Sequence, residues 1–245
     1  MLMAIDLGNT SVKLGVFDHA HLLLNSFLDH PNIPTIKAYQ TWLTPVFKQY
    51  GIKTIRIASV KPQLCHLIVK ALAELTNIQP TFLSSLSAPN FKLRIQKPEE
   101  LGVDLLMDAL ATDHYYHLDA IIIDVGTATK VMAIRDHGFE GVSIAPGIMT
   151  SFKALNQNAS LIKTMQLVKP TDVFGKNTVS ALASGIILGH IHMIEGLIQQ
   201  GLKSLGFSNA PVIITGGYAN LLLPLFSIKV IHDPHLSLKG ISLCN

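Results

Sequence analysis

The sequence predicts an α/β protein of two duplicated halves that present their loops to a shared cleft, and three observations carry that expectation. A short pattern occurs twice: Ala4-Ile5-Asp6-Leu7-Gly8-Asn9-Thr10 returns as Ile122-Ile123-Asp124-Val125-Gly126-Thr127-Ala128-Thr129. Asp6 and Asp124 stand 118 positions apart, near half of the 245-residue chain. Each copy is followed by an alternating run and then by helical periodicity, the order expected of repeated strand-pair-then-helix units.

In the first half, strands are expected at Met3–Asp6, Ser11–Phe17 and His21–Phe27. Val12, Leu14 and Val16 share one face of the second strand, and Lys13 lies on the other. Thr35–Tyr50 reads as a helix disturbed at Pro45. Thr54–Ser59 reads as a strand ending at Lys61-Pro62. Gln63–Leu75 follows as a helix with Leu64, Leu67, Ile68, Ala71, Leu72 and Leu75 on one side. A short strand at Thr81–Leu83 leads into a polar, proline-bearing loop over Ser84–Glu100. Leu101–Thr112 is a helix entered through Gly102-Val103-Asp104. The second half opens with strands at Ala120–Asp124, Lys130–Arg135 and near Gly141–Ile144. A helix from about Thr150, a connecting loop at Lys169–Asn177 and a long apolar helical stretch over Val179–Leu205 follow. Pro211–Thr215 and Lys229–Ile231 are strands flanking a short helix at Tyr218–Leu223. The boundary is placed at 115/116, giving halves of 1–115 and 116–245.

Composition narrows the function. Hydrophobic residues make up 49% and charged residues 14%, with a mean hydropathy of +0.39. So apolar a surface is expected to be covered in part by a partner subunit. A net charge of +3 without any basic run carries no nucleic-acid footprint. Cys65 and Cys244 are too few for a disulfide framework and lack zinc-ligand spacing, which suits a reducing cytoplasm. The 11 histidines are scattered, and His190 and His192 are expected at the surface or in packing. Asp6 follows the first five residues, with no cationic leader before it. The apolar stretch Ala181–Ile198, interrupted by His190, His192 and Glu195, is expected to fall short of a membrane span.

The repeated pattern has chemical meaning. A strand ending in Asp presents a carboxylate at the sheet edge, where it can hold a hydrated Mg²⁺ through oxygen. Gly8 lets the backbone approach an anion with no Cβ between them. Asn9, Thr10 and Ser11 supply neutral donors, turn amides can form an anion nest, and Lys13 can reach phosphate oxygens. Thr215-Gly216-Gly217, following the apolar run Pro211–Ile214, adds a second tight turn.

In order along the chain, these residues resemble the type III pantothenate kinase family. Asp6-Leu7-Gly8-Asn9-Thr10 with Lys13 resembles its first phosphate motif, and Gly102-Val103-Asp104 its substrate motif. Asp124–Thr129 resembles the second phosphate motif. Ile144–Gly147, Gly175–Thr178, Thr215–Gly217 and Leu236–Gly240 match later landmarks. The resemblance implies two ribonuclease-H-like halves of the actin-like ATPase type, with the active site in the cleft between them. It implies ATP-dependent phosphorylation of pantothenate to 4′-phosphopantothenate, the first step towards coenzyme A, by a cytoplasmic homodimer without membrane or nucleic-acid partners. Ala181–Ile198 is the candidate dimer interface.

Site roles follow from the same resemblance. Asp104 is the general base; Gly102, Val103, Asp104, Leu105 and Thr178 are the pantothenate-binding positions. Asp6, Leu7, Gly8, Asn9, Thr10, Ser11, Val12 and Lys13, with Thr127, Gly216 and Gly217, are the ATP-binding positions. Asp6 orients Mg²⁺ through water, and Asp124 holds a monovalent cation, K⁺ or NH₄⁺.

The departures gather near the substrate. Leu105 stands where the family has an Arg, removing a bidentate partner for a carboxylate worth about 1.5–3 kcal/mol. Ile95 falls where a Tyr is common. Lys130 and Met132 replace the usual Thr and Asp, and Val142 replaces a Gly. Lys92, Arg94 or Lys97 is a candidate replacement for the missing cation. Two alternatives therefore stand beside the kinase: a catalytically impaired regulatory or accessory binding protein, and a kinase for another small alcohol.

Overall fold

A computed structural model describes residues 1–30, 35–116, 119–158 and 167–244. The chain divides into two compact units, Met1–Tyr116 with His235–Asn245, and His117–Pro234.

The first unit opens with strands β1 (Leu2–Leu7), β2 (Ser11–Asp18) and β3 (His21–Asp29). Helix α1 (Ile36–Gln49), strand β4 (Thr54–Ser59), helix α2 (Pro62–Leu75) and strand β5 (Thr81–Phe82) follow. A two-residue strand β6 (Lys92–Leu93) and helix α3 (Val103–Tyr116) complete this stretch. The sheet order is β3-β2-β1-β4-β5. β1 runs antiparallel to β2 and parallel to β4.

The second unit contains β7 (Ala120–Val125), β8 (Ala128–Ile134) and β9 (Gly138–Pro146). Helices α4 (Ile148–Asn158), α5 (Thr178–Ala183) and α6 (Gly189–Leu205) come next. Strand β10 (Val212–Thr215), helix α7 (Ala219–Leu222) and strand β11 (Ile231–His232) end it. Its strands run β9-β8-β7-β10-β11. β7 is antiparallel to β8 and parallel to β10. The two units thus repeat one strand order with the same directions. Each also carries a register irregularity in its second strand, at Val16/Phe17 and at Ala133/Ile134. This is a duplicated ribonuclease-H-like architecture, as the repeated Asp-x-Gly pattern predicts.

Burial explains the elements. β1 and β7 are central strands, and their near-continuous apolar runs are buried on both faces. β3 alternates exposed and half-buried residues, as a strand with one covered face should. Thr35 caps α1, its Oγ1 accepting from the Ala38 amide at 3.2 Å. The expected disturbance at Pro45 does not end α1, which runs on to Gln49. Proline there forfeits one ladder bond, while Tyr39, Leu43 and Val46 keep the core face buried. Pro62 starts α2 at a position whose amide needs no helical partner.

Two expectations need correction. The last helix, α8 (Leu236–Leu243), packs on the first unit, so 235–245 does not share a unit with 116–234. Gly240 lies so close to α3 that an added Cβ would stand 1.9 Å from the Met107 carbonyl oxygen. Arg56 Nη1 donates to the Ser242 carbonyl at 2.8 Å, and Ser237 Oγ donates to Asp108 Oδ1 at 2.7 Å. The apolar stretch, expected to fall short of a membrane span, lies in one continuous helix, Thr178–Leu205, whose length and composition would allow a span. Its apolar character has a packing cause: Ile186, Ile187, Ile191, Ile194 and Ile198 belong to the second unit's buried core.

Candidate functional site

Within the first unit, Asp6 is the penultimate residue of β1 and is 9% exposed. The β1–β2 register sets it directly opposite Lys13, so both side chains rise from the same face of the sheet. The turn between them closes by the Gly8 amide donating to the Ser11 carbonyl at 3.1 Å. Asn9 and Thr10 are exposed, and Ser11 and Lys13 half-buried. Leu7 and Val12 are fully buried, so only their backbone can serve a ligand. Sequence reasoning missed His30: its Nε2 donates to the Gly8 carbonyl at 2.7 Å, and its amide donates to the Thr10 carbonyl at 2.8 Å. That bond fixes the proton on Nε2. A β-strand end returning beside the turn was the one available signal.

Asp104 lies in the first turn of α3. Gly102 packs against it: a Cβ there would stand 2.5 Å from Asp104 Oδ1, so any side chain at 102 would displace the carboxylate. Val103 and Leu105 are 7% and 6% exposed. Leu105 is a packing side chain. Of the candidate replacement cations, Lys97 is engaged with Glu100 at 2.6 Å in an exposed pair, and such pairs are weak.

In the second unit, three stretches far apart in sequence meet at one turn. The Gly126 amide donates to the Ala128 carbonyl at 3.0 Å, closing the turn after Asp124. Gly147 packs on it so tightly that a Cβ would stand 2.2 Å from the Gly126 carbonyl oxygen. The Gly147 amide and Thr150 Oγ1 both donate to the Thr127 carbonyl, at 3.0 and 2.6 Å. From the other side, Gly216 adopts φ +97°, and a Cβ would fall 2.5 Å from the Val125 amide nitrogen and carbonyl oxygen. The Tyr218 amide donates to the Val125 carbonyl at 3.0 Å. Thr127 and Gly217 are exposed at this turn, and a Cβ on Gly217 would meet nothing within 4 Å.

Asp124 has a covalent cation beside it. Lys130 Nζ lies 2.7 Å from Asp124 Oδ2, both side chains being mostly buried at 17% and 16% exposure. The expected monovalent ion does not fit a carboxylate already neutralised in this way. For Mg²⁺ the fit differs. Among the described residues no group of three or more His, Cys, Asp or Glu could hold a metal ion. A single carboxylate at Asp6 nevertheless suits Mg²⁺ that keeps its waters and arrives on a nucleotide.

Thr178 is the first residue of α5, behind an Asn177 capping box in which Ser180 donates to Asn177 Oδ1 at 2.9 Å. Five residues of π-helix, Ser184–Leu188, join α5 to α6, a feature frequent at functional sites. Thr178 lines a groove of about 550 Å³, together with Ser151, Leu155, Ala181, Gly185 and Gly189. His190, expected at the surface or in packing, is buried; its Nε2 lies 2.7 Å from Thr129 Oγ1. Burial pushes its pKa below the usual histidine value.

Comparisons with known proteins agree with the motif order. The family model described as type III pantothenate kinase matches residues 2–200. A type III pantothenate kinase of Geobacillus thermodenitrificans is 31% identical over 99% of this chain and 96% of its own length. One from Agathobacter rectalis is 30% identical with the same coverage. Among solved structures, a Baf family transcriptional activator from Campylobacter jejuni aligns with a TM-score of 0.61 at 19% identity, covering 98% of this chain and 94% of the other. Component A of (R)-2-hydroxyglutaryl-CoA dehydratase from Acidaminococcus fermentans aligns at 0.55 and 14%, with the same coverage. At such identities the two structures speak to the fold alone.

Proposed function

The chain belongs to the type III pantothenate kinase family, and we propose that the side chains described above carry out its ATP-dependent phosphorylation of pantothenate to 4′-phosphopantothenate, on the way to coenzyme A. The observation that supports this most is the second turn: three separated landmarks converge on Asp124–Thr129 through backbone contacts that only glycine permits at 147 and 216.

Asp104 accepts the proton of pantothenate's primary hydroxyl as that oxygen bonds to the γ-phosphorus and the bond to the ADP oxygen breaks. A carboxylate needs no unusual basicity for this, because phosphoryl transfer depends on positioning and charge neutralisation. The amides of Gly8 to Ser11 and the Lys13 ammonium hold phosphate oxygens, with His30 fixing the Gly8 carbonyl so that the turn keeps its shape. Mg²⁺ carried by the nucleotide would supply charge neutralisation, held through water by Asp6. Thr127 and the open backbone at Gly217 contact ATP, and Thr178 contacts pantothenate. With Leu105 buried, the pantothenate carboxylate is met by a cation of the preceding segment, Lys92, Arg94 or Lys97, in place of the family's Arg.

The enzyme works as a cytoplasmic homodimer. Ala181, Gly185 and Gly189 are exposed at four-residue spacing along the groove. Their small side chains leave the groove open to a second copy, in keeping with the high hydropathy. Type III pantothenate kinases are soluble enzymes, and the isoleucines of the long helix serve the core.

The test is ADP production with Mg²⁺-ATP, with and without pantothenate, for the parent and Asp104→Asn. Pantothenate-dependent turnover falling at least about a hundredfold in the variant, within the range of general-base catalysis, is expected. Turnover unchanged in Asp104→Asn would remove Asp104 from the chemistry.

A further inference from the structure

We propose that the Lys130 ammonium is a built-in monovalent cation, so that nucleotide binding in this protein is independent of K⁺ and NH₄⁺. The inference rests on the reading of Asp124 as the cation-holding carboxylate. Three observations support it. Lys130 Nζ sits 2.7 Å from Asp124 Oδ2, with both side chains more than four-fifths buried. The β7–β8 ladder makes the two residues direct cross-strand partners, so the pairing is set by backbone register rather than by a wandering side chain. The other carboxylate oxygen is crowded as well: Oδ1 packs against Gly216 so closely that a methyl there would stand 2.6 Å away. One oxygen is taken by an ammonium and the Gly216 backbone lies against one side of the other, so a free ion would have to compete with the ammonium for the carboxylate.

The chemistry of the exchange is simple. K⁺, NH₄⁺ and a lysine ammonium each bring one positive charge to carboxylate oxygens. A free ion must be drawn from solution, whereas the Lys130 ammonium is held by four methylenes at a high effective concentration. The first unit offers a geometric parallel, with Asp6 opposite Lys13 in register. The sequence in which Lys replaces a small polar residue at 130 is therefore a compensated site rather than a damaged one.

Direct binding of Mg²⁺-ATP to the full chain, by titration calorimetry without pantothenate, tests this. Buffers contain tetramethylammonium, potassium or ammonium chloride at equal ionic strength. The parent is expected to bind ATP with a Kd that changes by less than about twofold across the three salts, since no ion site awaits filling. Lys130→Thr is expected to bind at least about tenfold more weakly in tetramethylammonium and to recover in potassium or ammonium, because the vacated carboxylate then takes the ion. Its melting temperature should rise with K⁺ while the parent's does not. A parent that gains about tenfold or more from K⁺, or a Lys130→Thr protein indifferent to the cation, overturns the proposal. The parent arm decides the matter even if Lys130→Thr fails to fold. A parent that binds no ATP in any salt would instead overturn the nucleotide-site reading beneath it.

Discussion

Gly216 and Gly217 are adjacent, yet the structure assigns them opposite reasons for being glycine, and alanine at each separates the two. At Gly216 the backbone has φ +97°. A Cβ would lie 2.5 Å from both the Val125 nitrogen and the Val125 oxygen and 2.6 Å from Asp124 Oδ1. Two of these atoms are backbone of a central strand and cannot rotate away. The left-handed conformation costs about 1–2 kcal/mol for a residue with a Cβ, and overpacking adds about 1–3 kcal/mol. The sum, about 2–5 kcal/mol, is a large part of an ordinary folding free energy. For a chain of this size it corresponds to a fall in melting temperature on the order of 10 °C. At Gly217 the φ is unexceptional and a Cβ meets nothing within 4 Å, so alanine should change stability by less than about 1 kcal/mol. Its methyl would nonetheless occupy the open space assigned to ATP, and the nucleotide should bind about tenfold more weakly. Scanning calorimetry with and without Mg²⁺-ATP reads both effects. A Gly216→Ala protein melting within about 1 °C of the parent, or a Gly217→Ala protein that binds ATP normally, would refute the corresponding half of the reasoning.

Two further outcomes follow from histidines that lie outside the motifs singled out in the sequence. His30→Ala removes the donor to the Gly8 carbonyl, a bond of the kind worth about 1 kcal/mol; ATP affinity measured by titration should fall about fivefold, and an unchanged Kd would show that the turn holds its shape alone. His190 has a folded-state pKa lowered by burial, so between that value and the unfolded value near 6.5 the unfolded chain binds more protons. Stability is therefore full above about pH 6.5 and declines as the pH falls below it. Melting temperatures across pH 7 to 5 should show this decline in the parent and a flatter profile in His190→Gln; equal profiles would exclude His190 as the cause.

The two turns of the candidate site were legible because their signals are local. A buried strand ending in Asp-x-Gly announces a turn at a sheet edge, and two copies at half-length announce a duplication. What was illegible depends on register and on long-range packing. Lys130 was visible as a departure from a family pattern, but only the β7–β8 ladder shows it on Asp124. His30 gave no periodic signal, since its role lies in one bond across a turn 22 residues earlier. Leu105 read as a missing substrate contact, whereas its burial shows a side chain engaged in packing.

The sequence by itself determined most of the strands and helices, the twofold repetition and the order of the two Asp-x-Gly turns, but neither the short strand β6 within the expected loop nor helix α8. What it determined is written in hydrophobic periodicity and turn chemistry within windows of a dozen residues. The tertiary structure alone decided that α8 joins the first unit, that Gly147 and Gly216 enclose the Asp124 turn, and that a lysine neutralises its carboxylate. Those outcomes depend on atoms brought together by close packing of distant segments, and no local pattern encodes which distant backbone will fill the space that a missing Cβ leaves.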